Sequence, residues 1–205
     1  MIVIVNYGLC NLRSVAMKFE RIKAEAIISA KPADILQADK LVLPGVGYYA
    51  AAMRNLVEAD LVGPLNEAVL GKKIPILGIC LGMQLFTKSS EEGNCGGLGW
   101  IDAVTKKLAP PQGERAYRVP HVGWNSVELR QGAVLFEGID PGLRYYFVHS
   151  YAVFCEDPGQ IAAATDHGQS FASAVVRDNI HGVQFHPEKS HRHGLAMIEN
   201  FLRLA

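Results

Sequence analysis

The sequence predicts an α/β fold with a mostly parallel central sheet, flanking helices and an antiparallel strand insertion. Three observations lead there. Short β-branched runs alternate with helically spaced apolar residues through the first half, the pattern of βαβ units around a parallel sheet. The second half is denser in short strand patterns joined by turn residues, which points to antiparallel pairing. No internal repeat, low-complexity tract or linker divides the chain, so residues 1–205 read as a single domain.

Each element has a local cause. Ile2–Val5 is a continuous β-branched run, as expected of a strand buried on both faces. Asn11 can cap a helix whose apolar positions Leu12, Val15, Phe19 and Ile22 recur at helical spacing. Ala26–Ser29 reads as a second strand, and residues 41–43 as a third that Pro44-Gly45 ends. Helical patterns follow over 49–57 and 61–70, then a fourth buried strand over 74–79 and a helix over 81–88. A loop rich in Gly and acidic residues, 91–99, opens the second half. Strand patterns then occupy 103–108, 126–129, 145–149, 152–155, 161–165, 171–177 and 180–185. Asp157-Pro158-Gly159 and Asp178-Asn179 read as hairpin connections. An amphipathic helix closes the chain after Ser190, with Leu195, Ile198, Phe201 and Leu202 on one face.

Composition excludes several functions. The 20 Lys and Arg balance the 20 Asp and Glu, so a strongly basic nucleic-acid binder or polybasic membrane-surface protein is not indicated. A content of 49% hydrophobic and 20% charged residues is that of a globular protein. The longest run free of charged or strongly polar residues, 41–53, contains Pro44, Gly45 and Gly47 and is too short to span a bilayer. The start shows no secretory leader, and none of the four cysteines forms a C-x-x-C pair. The expectation is a cytoplasmic protein with free thiols.

The nucleophile candidate is Cys80, in Gly78-Ile79-Cys80-Leu81-Gly82, where a buried strand meets a helix. G-x-nucleophile-x-G is an elbow pattern that lifts the side chain clear of the sheet. The helix N-terminus behind it favours a thiolate, and the Leu81 N–H points where an oxyanion would form. Cys10, Cys95 and Cys155 lack such surroundings. Gln84, four residues beyond Cys80, shares its helix face, either against substrate or in solvent.

A thiol nucleophile needs a base, and seven histidines compete. His186 stands out because it ends a strand pattern, where α/β sites gather, and Pro187 holds it extended. Glu188, two residues on, can face the same way and accept the second ring N–H, the orienting role in a triad. A metal site is disfavoured. His181 and His186 fall on opposite sides of a strand, and His191 and His193 diverge on the last helix, where they read as solvent-facing. The Gly45-Val46-Gly47 loop after Pro44 can turn its N–H groups toward a ligand and complete an oxyanion hole, or be a plain turn. No P-loop pattern occurs, and no cofactor is called for.

Pro44-Gly45-Val46-Gly47, Gly78 through Gln84, and Gln184-Phe185-His186-Pro187-Glu188 together resemble the class I glutamine amidotransferases. Pro120-His121-Val122-Gly123-Trp124-Asn125 and Tyr146-Phe147-Val148-His149-Ser150-Tyr151 resemble, within that family, the glutaminase subunits of imidazole glycerol phosphate synthases. Asn6-Tyr7-Gly8 and Ser90-Glu91-Glu92-Gly93 fit the same subunits. The resemblance implies a Cys80–His186–Glu188 triad that splits glutamine through a glutamyl thioester. It implies that Gly45, Gly47, Gln84 and the Ser150–Tyr151 backbone help hold glutamine. It also implies ammonia transfer to a cyclase subunit, a (β/α)₈ barrel, in a heterodimer of histidine biosynthesis. The 120–125 block would then lie near the partner. Pro120, His121, Trp124 and Asn125 are the interface candidates, though Trp124 also reads as a core residue beside a turn. Two positions depart from the family, with Asn6 where an acidic residue is usual and Cys10 where Gly is usual. Two other readings stay open. One is a paralogue feeding ammonia to a sugar amidotransferase of surface-polysaccharide synthesis. The other is a non-enzymatic subunit on the same fold, against which the intact triad argues.

Overall fold

The first four strands run parallel to their neighbours, and the antiparallel pairs come later in the chain. The computed structural model describes residues 1–111, 117–130 and 133–204. The chain runs β1 (Ile2–Val5), α1 (Leu12–Arg21), β2 (Ala26–Ser29), α2 (Pro32–Leu36), β3 (Lys40–Gly45), α3 (Tyr49–Glu58), α4 (Val62–Asn66), β4 (Ile76–Cys80) and α5 (Leu81–Gln84). It continues through β5 (Ser89–Ser90), β6 (Cys95–Gly96), β7 (Ala103–Lys107), β8 (His121–Ser126), β9 (Glu128–Leu129), β10 (Arg144–His149) and β11 (Tyr151–Cys155). It ends with β12 (Ile161–Asp166), β13 (Ser170–Arg177), β14 (Ile180–Val183) and α6 (His191–Arg203).

The main sheet has the order β2-β1-β3-β4-β14-β13-β11-β7-β5-β6. β2 through β14 in that order are mutually parallel, whereas β13 is antiparallel to β14 and β11, and β11 to β7. β8 and β10 form a separate antiparallel ribbon. Successive residues of a strand face opposite sides, so two cores form. Val3, Val5, Leu41, Leu43 and Ile76 pack with Tyr49, Leu56 and Leu65 of the α3–α4 side. Ile4, Val42, Leu77 and Ile79 pack with Val15 and Phe19 of α1 and Met197, Ile198 and Phe201 of α6. Asn11 caps α1 as its position suggests, accepting from the Ser14 N–H at 3.3 Å.

Several elements differ from the sequence expectation. The strand expected over 126–129 is β8, which starts at His121, followed by the two-residue β9, and β5 and β6 flank and enter the expected 91–99 loop. α2 is a short helix opened by Pro32 at its first position, a place where proline loses nothing. The helix expected over 61–70 is α4 followed by a π turn, Glu67–Gly71. The helix expected over 81–88 is a single turn. Thr87 Oγ1 donates to the Gln84 carbonyl at 2.8 Å and the Trp100 N–H to the Phe86 carbonyl at 2.8 Å, so those acceptors are taken from outside a helical ladder. The Asp178-Asn179 turn does make a hairpin, β13–β14, but Asp157-Pro158-Gly159 does not. There β11 and β12 part and both pair with β13. They leave a cavity of about 860 Å³ lined by Phe154, Cys155, Ile161 and Phe171 among others.

Candidate active site

Strand register assembles the site. Gly45 pairs with Cys80 across β3 and β4, and Val183 pairs with Ile79 across β14 and β4. Three carboxyl ends of a parallel sheet therefore meet: the Gly45–Gly47 loop, Cys80, and the segment running on from Val183 to His186. Such an edge is where α/β proteins bind ligands.

Cys80 has φ 54° and ψ −111°, a conformation costly for a residue with a side chain. Two glycines make the elbow sterically feasible. A Cβ at Gly82 would lie 1.7 Å from the Leu43 carbonyl oxygen, and one at Gly78 would lie 2.6 Å from the Phe86 ring. His186 is placed by its backbone, whose N–H donates to the Tyr146 carbonyl at 2.9 Å, while the Ser190 hydroxyl donates to its carbonyl at 2.7 Å. Its Nδ1 lies 2.7 Å from Glu188 Oε1. His186 is extended, but Glu188 arrives through a 3-10 turn, Pro187–Lys189, rather than along an extended chain. Proline at the start of that turn bends the carboxylate back under the ring.

Both members of this pair are buried, and His186 Nε2 has no hydrogen-bond partner among the described residues. Burial pushes the imidazole toward neutrality. The Cys80 sulfur and the Glu188 carboxylate outweigh it and hold His186 up at about 10. The ring is thus held as a proton carrier between a thiol and a carboxylate.

A cavity of about 440 Å³ opens on Cys80. The larger one beside β12 has no part of this chemistry on its walls. The smaller cavity gathers Val46, Gly47, Leu81, Gln84, Ser150 and Tyr151 with Cys80 and His186, residues far apart in sequence. Gln84 is buried rather than solvated, and its amide NH₂ donates to the Tyr151 carbonyl at 2.8 Å and to Gln184 Oε1 at 2.9 Å. In the Gly45–Gly47 loop the Val46 N–H donates to the Leu9 carbonyl at 2.9 Å. That donor is therefore spent here, while Gly47 holds φ 112° beside it. Tyr7 Oη braces the loop by donating to the Pro44 carbonyl at 2.8 Å.

Five residues of the site were not singled out for it from sequence. Glu92 lines the cavity and accepts the Tyr49 N–H at 2.8 Å, and burial raises its carboxyl above the usual range despite that bond. Its signs in the sequence are its place in an acidic, glycine-rich loop and in the Ser90–Gly93 block that fits the resembled subunits. Gln184 Nε2 donates to Cys80 Sγ at 3.7 Å. Val148, His149 and Lys189 also line the wall, as does the interface candidate Pro120. No group of three or more His, Cys, Asp or Glu among the described residues is arranged to hold a metal ion.

The interface candidates divide. Trp124 is 42% exposed and stacks on the His191 ring at 4.8 Å, beside exposed Val122 and Pro120. Asn125 is partly exposed, whereas His121 turns inward and is only 4% exposed, so it offers no ring to a partner. Cross-strand pairing with buried His149 explains this inward face. His193 is likewise buried rather than solvent-facing, because its Nε2 bonds the Arg144 carbonyl. His181 lies in another cavity with Lys73 and Asn179, apart from His186.

Fold and site define a class: α/β enzymes that carry a thiol on a strand-to-helix elbow, with a His–carboxylate pair against it. The chain belongs to the family "Glutamine amidotransferase class-I", whose profile matches residues 3–205. It is 46% identical over 205 residues to "Imidazole glycerol phosphate synthase subunit HisH 2" of Methanococcus maripaludis. It is 43% identical over 204 residues to the protein of the same name in Pseudomonas aeruginosa, and 44% over 205 to "Imidazole glycerol phosphate synthase subunit HisH 1" of Campylobacter jejuni. Each alignment covers 100% of both chains. Among solved structures, a glutamine amidotransferase matches with TM-score 0.76 at 17% identity, over 98% of this chain and 97% of that one. The glutaminase domain of Trypanosoma brucei CTPS with bound acivicin matches with TM-score 0.65 at 17% identity, over 100% and 94%. These two likenesses concern the fold. Among the described residues no helix is long and apolar enough to cross a membrane.

Proposed function

We propose that residues 1–205 form one glutaminase domain, the ammonia-producing subunit of an imidazole glycerol phosphate synthase in the cytoplasm. The observation that carries this reading is the buried Cys80–His186–Glu188 array at the mouth of the cavity. It occurs in a chain alignable end to end with relatives bearing that name. Those names favour the histidine-pathway role over the polysaccharide paralogue.

Glutamine enters the cavity with its side-chain amide at Cys80. Glu92 is the anionic group on the wall suited to the substrate's ammonium. Gly45, Gly47, Gln84 and the Ser150–Tyr151 backbone hold the rest. The Cys80 sulfur attacks the amide carbon, and the Leu81 N–H supports the oxyanion. A second donor requires the Val46 N–H to leave the Leu9 carbonyl. His186 gives its proton to the amide nitrogen, the C–N bond breaks, and ammonia departs from a glutamyl thioester. Water, losing a proton to His186, then adds to the thioester; glutamate leaves and the thiol is restored. Glu188 keeps the ring oriented and stabilises its charge. The ammonia passes to a cyclase subunit docked on the Trp124 face of β8.

The test is Cys80→Ala. Glutamine-dependent synthesis with the cyclase and its nucleotide falls by a factor of about 10⁴ or more, while synthesis from added ammonia persists. Loss of both activities would remove the division of labour proposed here.

A further inference from the structure

One chain of hydrogen bonds connects the partly exposed end of β8 to the nucleophile, and its direction is set by backbone groups. Asn125 Nδ2 donates to the Asp166 carbonyl at 2.9 Å, and Asn125 Oδ1 accepts the Ser126 N–H at 2.9 Å. These two contacts of opposite sense pin the amide. The same Nδ2 faces His121 Nε2 at 3.3 Å, so that nitrogen accepts. His121 then carries its proton on Nδ1, which donates to His149 Nε2 at 3.0 Å. His149 in turn carries its proton on Nδ1, 2.9 Å from the Tyr151 carbonyl. That carbonyl also accepts from Gln84, whose NH₂ reaches Gln184, whose own NH₂ reaches Cys80 Sγ. Every ring nitrogen along this path has one compatible role, and both rings are neutral.

We infer that Asn125, His121 and His149 are positioning residues: a tautomer-locked line that holds the Tyr151 carbonyl, and through it the Gln84–Gln184 pair, against Cys80. The inference rests on the reading of Cys80 as the glutamine nucleophile. The surroundings support a neutral line. His121 packs between Phe147 and His167, and His149 meets His121, Phe147 and Phe171. Burial with the neighbouring imidazole of His167 lowers His121 to about 4. Burial lowers His149 to about 3 against the pull of the Tyr151 carbonyl, with His121, His167 and His186 adding to the effect. A proton on either ring would set two N–H groups face to face. His167 touches the same stack but lies off the line, because its Nε2 bonds the Arg118 carbonyl.

Nitrogen NMR of the full chain, ¹⁵N-labelled on histidine, reads the tautomers directly. The expected result is Nδ1–H on both His121 and His149, neutral at pH 7. An Nε2–H form of either ring in the unaltered chain overturns the inference without any variant. Asn125→Asp replaces the donor with an acceptor, so His121 must present an N–H at Nε2, either by moving its proton there, which makes His149 invert or become charged, or by taking up a second proton beside the new carboxylate. The second readout is covalent labelling of Cys80 by a glutamine-analogue electrophile, as a maximal rate and a half-saturation concentration. Asn125→Asp lowers the maximal rate about tenfold, the worth of one hydrogen bond to a reacting group. His167→Phe, which keeps the stack, leaves it within about twofold. Three results overturn the inference: an Nε2 of His121 still without a proton in Asn125→Asp, a changed His121 protonation with an unchanged labelling rate, or an equal loss in His167→Phe. If the analogue fails to label Cys80 in the unaltered chain while the tautomers are as stated, the glutaminase reading fails and the hydrogen-bond line stands.

Discussion

His186 has two jobs that pull on one proton, and the two sides of its ring separate them. Nδ1 is tied to Glu188 at 2.7 Å, while Nε2 is left to the thiol and the substrate. Removing the ring removes both proton transfers, so His186→Ala lowers the glutaminase kcat by about 10³ or more. Glu188→Gln keeps an oxygen able to accept from Nδ1–H and loses only the charge. Its kcat falls by about 10- to 100-fold, a smaller loss than that of His186→Ala. Steady-state kinetics of the two variants decide the matter: equal or reversed losses would remove the orienting role from Glu188.

At the scale of elements, the elbow between β4 and α5 concentrates steric demand. The Leu43 carbonyl leaves no room for a methyl group at Gly82. Because that neighbour is backbone of the central strand β3, relief requires β3 and β4 to separate. Gly82→Ala therefore destabilises the fold by about 3 kcal/mol or more, read as a lowered urea midpoint. Gly63→Ala is the control, since its Cβ would meet nothing within 4 Å. A Gly82→Ala midpoint equal to that of the control would mean that the elbow adapts without strain.

The whole molecule carries two further consequences. Burial holds His121 at about 4, His149 at about 3 and His181 at about 4, below the ordinary value of about 6.5. As pH falls below about 6.5 the unfolded chain takes up protons that the folded chain refuses, so stability declines with falling pH down toward 4. His186 works the other way. Its folded value near 10 gives a contribution fully present below about 6.5 and lost as pH rises toward 10. Stability peaks between these windows, near pH 6.5. Urea midpoints across pH 5 to 9 check this; a flat profile from 7 to 5 would show that these rings accept protons in the folded state. The second consequence concerns the ribbon. Trp124 presents a half-exposed indole stacked on His191. If the proposed cyclase subunit docks on this face, Trp124→Ala weakens association with it about 30-fold, as for an aromatic anchor at an interface, in a titration that leaves the fold intact.

The amino-acid sequence by itself determined the α/β class and the parallel strands of its first half, and it pointed to Cys80, His186 and Glu188 as the candidate triad. Those features are local: β-branched runs, a cap at Asn11 and the G-x-C-x-G spacing each write their conformation into adjacent residues, whereas the H-P-E spacing points to the pair but not to the 3-10 turn that joins it. It also bounded α5 poorly, since what stops that helix is donation from Thr87 and Trp100 to its carbonyls rather than a glycine or proline. Only the tertiary structure decided that β11 and β12 part, that His121 and His193 face inward, and that Glu92, His149 and Gln184 reach the site. It also decided that the Val46 N–H is spent on Leu9. The physical reason is shared by all of these. Each is settled by hydrogen-bond partners and packing neighbours distant in sequence, supplied by register across β3, β4 and β14 and across the β8–β10 ribbon.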